Sequence, residues 1–114
     1  MMKFISAVIV ATLSAMIIFL PGIAYAVEVT MGSNGNLIFD PDNISITAGE
    51  TVHFVNGMLP PHNIIVEGRA DLSRESLMFT PGEIQDIKFA DAGDYDFFCG
   101  PHQGAGMIGH LHVD

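Results

Sequence analysis

Residues 95–113 read YDFFCGPHQGAGMIGHLHV, and they hold the pattern from which the fold can be worked out. Tyr95, Phe97 and Cys99 lie at every second position, which is typical of a β-strand with one buried face. A loop rich in glycine and proline follows, and residues 107–113 form a second strand-like segment. The segment therefore predicts two β-strands joined by a tight loop.

The rest of the chain repeats this pattern of short apolar segments separated by Gly, Pro and Asn. Val52, Phe54 and Asn56 share one strand face, which leaves His53 on the other. Residues 71–77 are interpreted as one helical turn or a loop. Neither an internal repeat nor a linker is evident, so we expect one all-β domain, a sandwich or barrel. Strands are predicted at residues 27–31, 44–47, 52–56, 62–66, 84–89, 95–99 and 107–113, and residues 37–39 form a further short apolar segment.

The first 26 residues have the layout of a secretory signal peptide. Lys3 precedes an apolar run over residues 4–20, and Ala24-Tyr25-Ala26 matches a small-x-small cleavage site. A retained membrane anchor is the alternative, because the run is near the minimum length for spanning a bilayer. We expect cleavage after Ala26, which leaves residues 27–114 as an exported domain.

The charge and the cysteine content restrict the function. The chain has 4 basic and 13 acidic residues, a net charge of −9, which argues against a nucleic-acid partner. Cys99 is the only cysteine, so an intramolecular disulfide cannot stabilise this small exported domain. A bound metal would protect the thiol and add stability.

The loop after the 95–99 strand offers three soft or borderline metal ligands. Cys99, His102 and Met107 supply a thiol, an imidazole and a thioether within nine residues. His62 is the best candidate for a fourth ligand, because Pro60-Pro61 stiffens the chain before it. Two His, one Cys and a weak Met ligand are typical of a blue-copper electron-transfer site.

Each of these residues also has an ordinary structural interpretation. A lone Cys is usually a small buried hydrophobe, and a lone Met usually fills a core. The combined spacing Cys-x2-His-x4-Met, with an upstream Pro-His, favours the copper interpretation. His110 and His112 lie on one face of the last strand, where we expect an ordinary solvent-facing pair. A second metal-binding spot or a pH-sensitive face are the alternatives there, and His53 is expected at the surface.

Several of these motifs resemble those of the plastocyanins, a family of cupredoxins. They are Pro61-His62-Asn63, residues 95–99, residues 101–109 with their Gly-Ala-Gly-Met loop, and the Ala-Gly-Glu-Thr-Val turn at 48–52. The resemblance covers nearly all of residues 27–114. It implies a Greek-key β-sandwich that holds one copper ion. It also implies a monomer that carries electrons from cytochrome f to photosystem I, docks transiently at membrane complexes and works in a thylakoid lumen or a periplasm.

The resemblance also assigns roles to individual residues. Cys99 would act as the dominant thiolate ligand with His62 and His102, Met107 would be the weak axial ligand, and Asn63 would tie the His62 segment to the Cys99 loop. His102 would reach an apolar docking patch. Candidates for that patch are Gly35, Leu37, Leu59, Pro60, Pro61, Gly104 and Ala105.

The chain departs from the plastocyanin pattern at three points, and two competing functions stay open. Phe98 stands where an exposed Tyr often provides a second electron route, Gln103 stands where many cyanobacterial forms have Arg, and the long acidic run of plant forms is missing. Copper delivery or storage is one alternative, but no Met cluster remains outside the signal segment. A copper enzyme is the other, but the chain is short and has too few His residues for a further copper site, so we expect no enzyme.

Overall fold

The computed structural model describes residues 26–114, and this part of the chain forms two β-sheets. The predicted signal segment lies outside the described residues, apart from Ala26. The strands are β1 (Ala26–Met31), β2 (Phe39–Asp40), β3 (Asn43–Ile46), β4 (Thr51–Asn56), β5 (His62–Val66), β6 (Arg74–Met78), β7 (Ile84–Lys88), β8 (Gly93–Phe98) and β9 (Ile108–Val113). Two 3₁₀ helices, Ser33–Gly35 and Gly100–Ala105, lie in the loops.

The strand order shows the crossed connections of a Greek-key sandwich. One sheet has the order β2-β1-β4-β7 and the other has the order β3-β9-β8-β5-β6. β1 pairs with β4 and β3 pairs with β9 in parallel, while the remaining pairs are antiparallel. Parallel neighbours need a crossover connection, so the chain passes repeatedly between the sheets. The prediction of an all-β Greek-key sandwich is confirmed.

Alternating side chains build the core between the sheets. Val52, Phe54 and Asn56 of β4 are buried while His53 points outward, as the sequence predicted. The rings of Phe39, Phe54 and Phe97 meet edge to face, with centroids 4.8 to 6.1 Å apart. This geometry is favourable for aromatic pairs. Since Phe97 lies two residues before Cys99, the cluster fixes the strand that leads into the loop.

Part of the 71–77 segment differs from the prediction. Instead of a helical turn or loop throughout, Arg74–Met78 forms the edge strand β6 beside β5. Only Met78 of this strand is buried, so no apolar alternation marked it. The Arg74 guanidinium donates hydrogen bonds to the backbone oxygens of Leu72, Ser73 and Asp86. These bonds fix the strand, and an apolar alternation in the sequence does not reveal them. In the described part of the chain, no helix is long and apolar enough to span a bilayer.

Candidate metal centre

His62 begins β5, and its ring is oriented by the loop before it. Its Nε2 lies 2.6 Å from the backbone oxygen of Met58. A carbonyl oxygen can only accept, so Nε2 must carry the proton. In the neutral ring this places the lone pair on Nδ1, which faces the Cys99 Sγ 3.7 Å away. The Met58 carbonyl thus selects the tautomer that a metal ligand needs.

Gly32 makes room for this arrangement. It has a positive φ of 77°, and a Cβ on it would collide with the Met58 carbonyl and approach the His62 Nε2. A side chain here would therefore displace the group that orients the ring. Neither Gly32 nor the Met58 carbonyl was identified from the sequence, since a backbone oxygen carries no residue signature.

The loop from Cys99 to Met107 is closed by its own backbone. The Cys99 N–H donates to the Met107 oxygen at 3.1 Å, and the Met107 N–H donates to the His102 oxygen at 3.2 Å. The His102 N–H in turn donates to the Cys99 oxygen at 3.2 Å. These bonds wind residues 100–105 into a 3₁₀ helix and place the His102 Nδ1 3.4 Å from the Cys99 Sγ.

Three of the four predicted ligands therefore converge. The ligand atoms of His62, Cys99 and His102 all lie within 4.8 Å of one another, and no other such group occurs in residues 26–114. His62 and Cys99 are fully buried, whereas His102 is partly exposed. A thiol and two imidazoles fit a soft or borderline transition metal such as copper. The donor set therefore fits the ion that the sequence predicted.

Burial changes the protonation of two of these groups in opposite senses for metal binding. It raises the pKa of the Cys99 thiol, an effect that hydrogen bonds from the Asn63 and His102 backbone partly oppose. Burial, with a smaller contribution from the His62 charge, lowers the pKa of His102. The imidazole of His102 is thus neutral and available near pH 7, while the thiol must release a proton when a metal binds.

Asn63 links the two segments that carry the predicted ligands. Its Oδ1 accepts from the Gly100 N–H at 2.6 Å, and its Nδ2 donates to the Glu75 oxygen at 3.1 Å. The side chain is buried, with 7 % of its surface exposed. It therefore bridges β5, β6 and the start of the ligand loop. The Glu75 contact was not predicted, because it depends on the unpredicted strand β6.

Apolar residues are exposed on the loops beside the three converging groups. Leu59 and Met58 are exposed by 45 % and 57 %, and they lie three and four residues before His62 in the chain. Leu37 instead packs against the core, and Pro61 is partly buried. Two exposed residues, Met58 and Ile38, were not among the predicted patch residues. Ile38 is exposed by 41 %. The other predicted members are exposed: Gly35, Pro60, Gly104 and Ala105.

The sandwich and its buried thiol–imidazole group define a class, that of small β-sandwich proteins with one soft transition-metal site. A family model described as "Copper binding proteins, plastocyanin/azurin family" matches residues 25–114. The chain belongs to this family of copper-binding proteins.

Individual relatives agree with the assignment. Chloroplastic plastocyanin of Pisum sativum is 38% identical over 102 residues, which cover 80% of this chain and 61% of the pea protein. The structure of oxidised plastocyanin from Dryopteris crassirhizoma has a TM-score of 0.68 at 32% identity, covering 77% of this chain and all of the fern chain. Amicyanin from Paracoccus versutus has a TM-score of 0.64 at 32% identity, with 82% and 86% of the two chains covered.

Proposed function

We propose that this protein is a blue-copper electron carrier in which His62, Cys99, His102 and Met107 hold one copper ion. The observation that carries the proposal is the convergence of two imidazoles on a buried thiol. Copper, when bound, supplies a one-electron couple between Cu(I) and Cu(II). Met107 is proposed as the fourth ligand because it is fully buried and its backbone bonds to both Cys99 and His102.

The protein's own residues keep the site fixed. The Met58 carbonyl holds the His62 ring, and Asn63 holds the Cys99 loop to β5 and β6. Buried, hydrogen-bonded ligands need little rearrangement between oxidation states, which favours rapid electron transfer. We propose that electrons pass through the partly exposed His102. The exposed apolar residues on the neighbouring loops would form the docking surface.

Cytochrome f is the proposed electron donor and photosystem I the proposed acceptor, with transient docking to both. The likeness to plastocyanins supports both assignments. The proposed location is the thylakoid lumen or a periplasm, after cleavage of a signal peptide at Ala26. A chloroplastic relative supports the lumen. We propose further that the protein is a monomer and not an enzyme.

A redox-cycling experiment separates electron transfer from copper delivery. The copper-loaded protein would be reduced and reoxidised repeatedly beside an excess of a Cu(I) chelator. A carrier retains its copper and regains its full visible spectrum after each cycle. Loss of copper to the chelator on the first reduction would support delivery and contradict the proposal.

The partner assignment has its own test. Oxidised copper protein would be mixed with reduced cytochrome f, and the reduced product with photo-oxidised photosystem I. Rates that increase with protein concentration in both reactions would support the proposed pair. A protein that cycles reversibly yet exchanges electrons with neither partner would remain a carrier with other partners.

A further inference from the structure

The outer face of β8 and β9 carries an alternating row of acids and histidines that the copper site does not use. In the antiparallel pair, Asp96 lies opposite His110 and Asp94 lies opposite His112. Asp114 follows at the end of the chain. In order of contact, the row runs Asp96, His110, Asp94, His112, Asp114. We call these five side chains the carboxylate–histidine ladder.

Both ring nitrogens of each histidine in the ladder contact a carboxylate. His110 places Nδ1 2.8 Å from the Asp96 Oδ1 and Nε2 3.3 Å from the Asp94 Oδ1. His112 places Nδ1 2.8 Å from that same Asp94 oxygen and Nε2 2.9 Å from the Asp114 Oδ1. All four contacts are within hydrogen-bond range.

This geometry selects one protonation state. An ionised carboxylate only accepts hydrogen bonds, and a neutral imidazole has one N–H donor and one lone pair. A neutral histidine would therefore turn a lone pair toward a carboxylate oxygen. Only the imidazolium form, with both nitrogens protonated, satisfies both contacts of His110 and both contacts of His112.

The basic residue nearest the ladder is Arg69, whose guanidinium lies over the buried Tyr95 ring of β8 and pairs with Asp71. The strands β3, β8 and β9 hold neither lysine nor arginine. Across β9 from the ladder, Asn43 and Ser45 of β3 lie opposite His110 and His112 and are uncharged. Two acidic residues also lie near the ladder. Asp42 lines a shallow groove with Asp96 and His110, and Glu67 bonds through its backbone to Asp96 on the β5 side.

We propose that the ladder is a proton-operated latch, which adds side-chain ion pairs across the backbone-paired strands β8 and β9 when both histidines are protonated and loses those pairs when the protons leave. With two imidazolium ions the five side chains carry a charge of −1, and with two neutral rings they carry −3. β8 leads into Cys99 and β9 follows Met107. The latch therefore spans the two strands that flank the ligand loop.

The electrostatics agree in direction. Hydrogen bonds to Asp96 and then Asp94 raise the pKa of His110, and those to Asp94 and Asp114 raise the pKa of His112. A raised folded-state pKa contributes stability that is fully present below the unfolded value, about 6.5 for histidine. That stability is lost as the pH rises through the folded values. The latch thus closes on acidification.

The test is an NMR titration of the histidine rings in the copper-loaded, reduced protein, which is diamagnetic. We expect His110 and His112 to titrate above the ordinary value of about 6.5. Because Asp94 contacts both rings, Asp94→Asn should lower both midpoints together. Asp86→Asn is the matched control, since Asp86 pairs with His53 on the other sheet and should leave both midpoints unchanged.

A stability measurement complements the titration. From pH 6 to pH 9, the denaturant midpoint of the wild type should fall more than that of the double variant His110→Gln, His112→Gln. The control variant is His53→Gln, because His53 lies in the other sheet. Histidine midpoints at or below the ordinary value would overturn the proposal. Titration midpoints of His110 and His112 that do not change in Asp94→Asn would overturn it as well. The NMR titration measures these midpoints in the folded protein, so it does not depend on unfolding.

Discussion

The Asn63 side chain connects the segments that carry the proposed ligands. Its amide satisfies the Gly100 N–H and the Glu75 oxygen, and both contacts lie in partly buried surroundings. Asn63→Ala leaves those groups without partners, so we expect a loss of about 1–3 kcal/mol of unfolding free energy. Denaturant unfolding of the copper-free protein measures it. Asn36→Ala, at an exposed loop position, should change stability by less than about 0.5 kcal/mol.

The Cys99 thiol should make copper binding depend on pH. Burial raises its pKa, so the free thiol is protonated at pH 7 to 8 and releases one proton when it binds a metal. The lowered pKa of His102 keeps that ring neutral, with one nitrogen lone pair free for a metal, in the same range. We expect the apparent copper affinity to fall about tenfold per pH unit on acidification from pH 8 to 7. Competition titrations measure it, and an affinity independent of pH would contradict it.

At the level of residues, the sequence was informative at the candidate metal site, where side chains carry the chemistry. Cys99 and His102 were identified by their spacing, and His62 by the Pro-Pro pair before it. The structure brings these three together. The Met107 assignment stays a prediction. The Met58 carbonyl and Gly32 could not be predicted, because their roles come from backbone position in a loop whose path depends on the whole fold.

At the level of elements, the contact of Gly109 with Phe97 sets how β9 packs on β8. The Phe97 ring occupies the space that a Cβ on Gly109 would need. Since that ring belongs to the aromatic cluster with Phe39 and Phe54, it cannot move freely. Gly109→Ala should therefore destabilise the protein by about 1–3 kcal/mol, as overpacking in cores typically does.

The matched glycine for this experiment is Gly104. It lies in the 3₁₀ helix of the ligand loop and has open space where a Cβ would be added. Thermal unfolding should show little change for Gly104→Ala and a clear decrease in Tm for Gly109→Ala. Equal effects of the two substitutions would mean that contact with Phe97 does not limit this position.

The strands with a period of two were predicted well, β5 was predicted without that period, and β6 was missed. The pattern located β4 and β8 because their inward faces are apolar. The edge strand β6 has one buried residue, and the Arg74 hydrogen bonds and the pairing with β5 define it. β2 is reduced to Phe39–Asp40 beside β1. Such pairings depend on residues far away in the sequence, which no local pattern records.

At the level of the whole molecule, copper should act as the stabilising crosslink that this domain otherwise lacks. The only cysteine is free, so no disulfide closes the chain. The proposed ligands join β5 to the loop between β8 and β9, and a metal bound only to the folded state adds its binding energy to stability. Free copper at about 100 times the dissociation constant should add about 2.7 kcal/mol, which raises Tm by about 10 °C or more. Calorimetry with and without copper measures the shift in Tm. An unchanged Tm would contradict a copper site formed by ligands from both β5 and the loop between β8 and β9.

The most direct test of the central claim is the visible absorption spectrum of the protein after addition of Cu(II), recorded beside Cys99→Ser. A copper–thiolate bond at this site predicts an intense blue band in the wild type and its loss in the variant. The serine keeps the size of the side chain and removes the sulfur. A colourless protein that still binds copper, or a band that survives in Cys99→Ser, would contradict the assignment of His62, Cys99 and His102 to a blue-copper site.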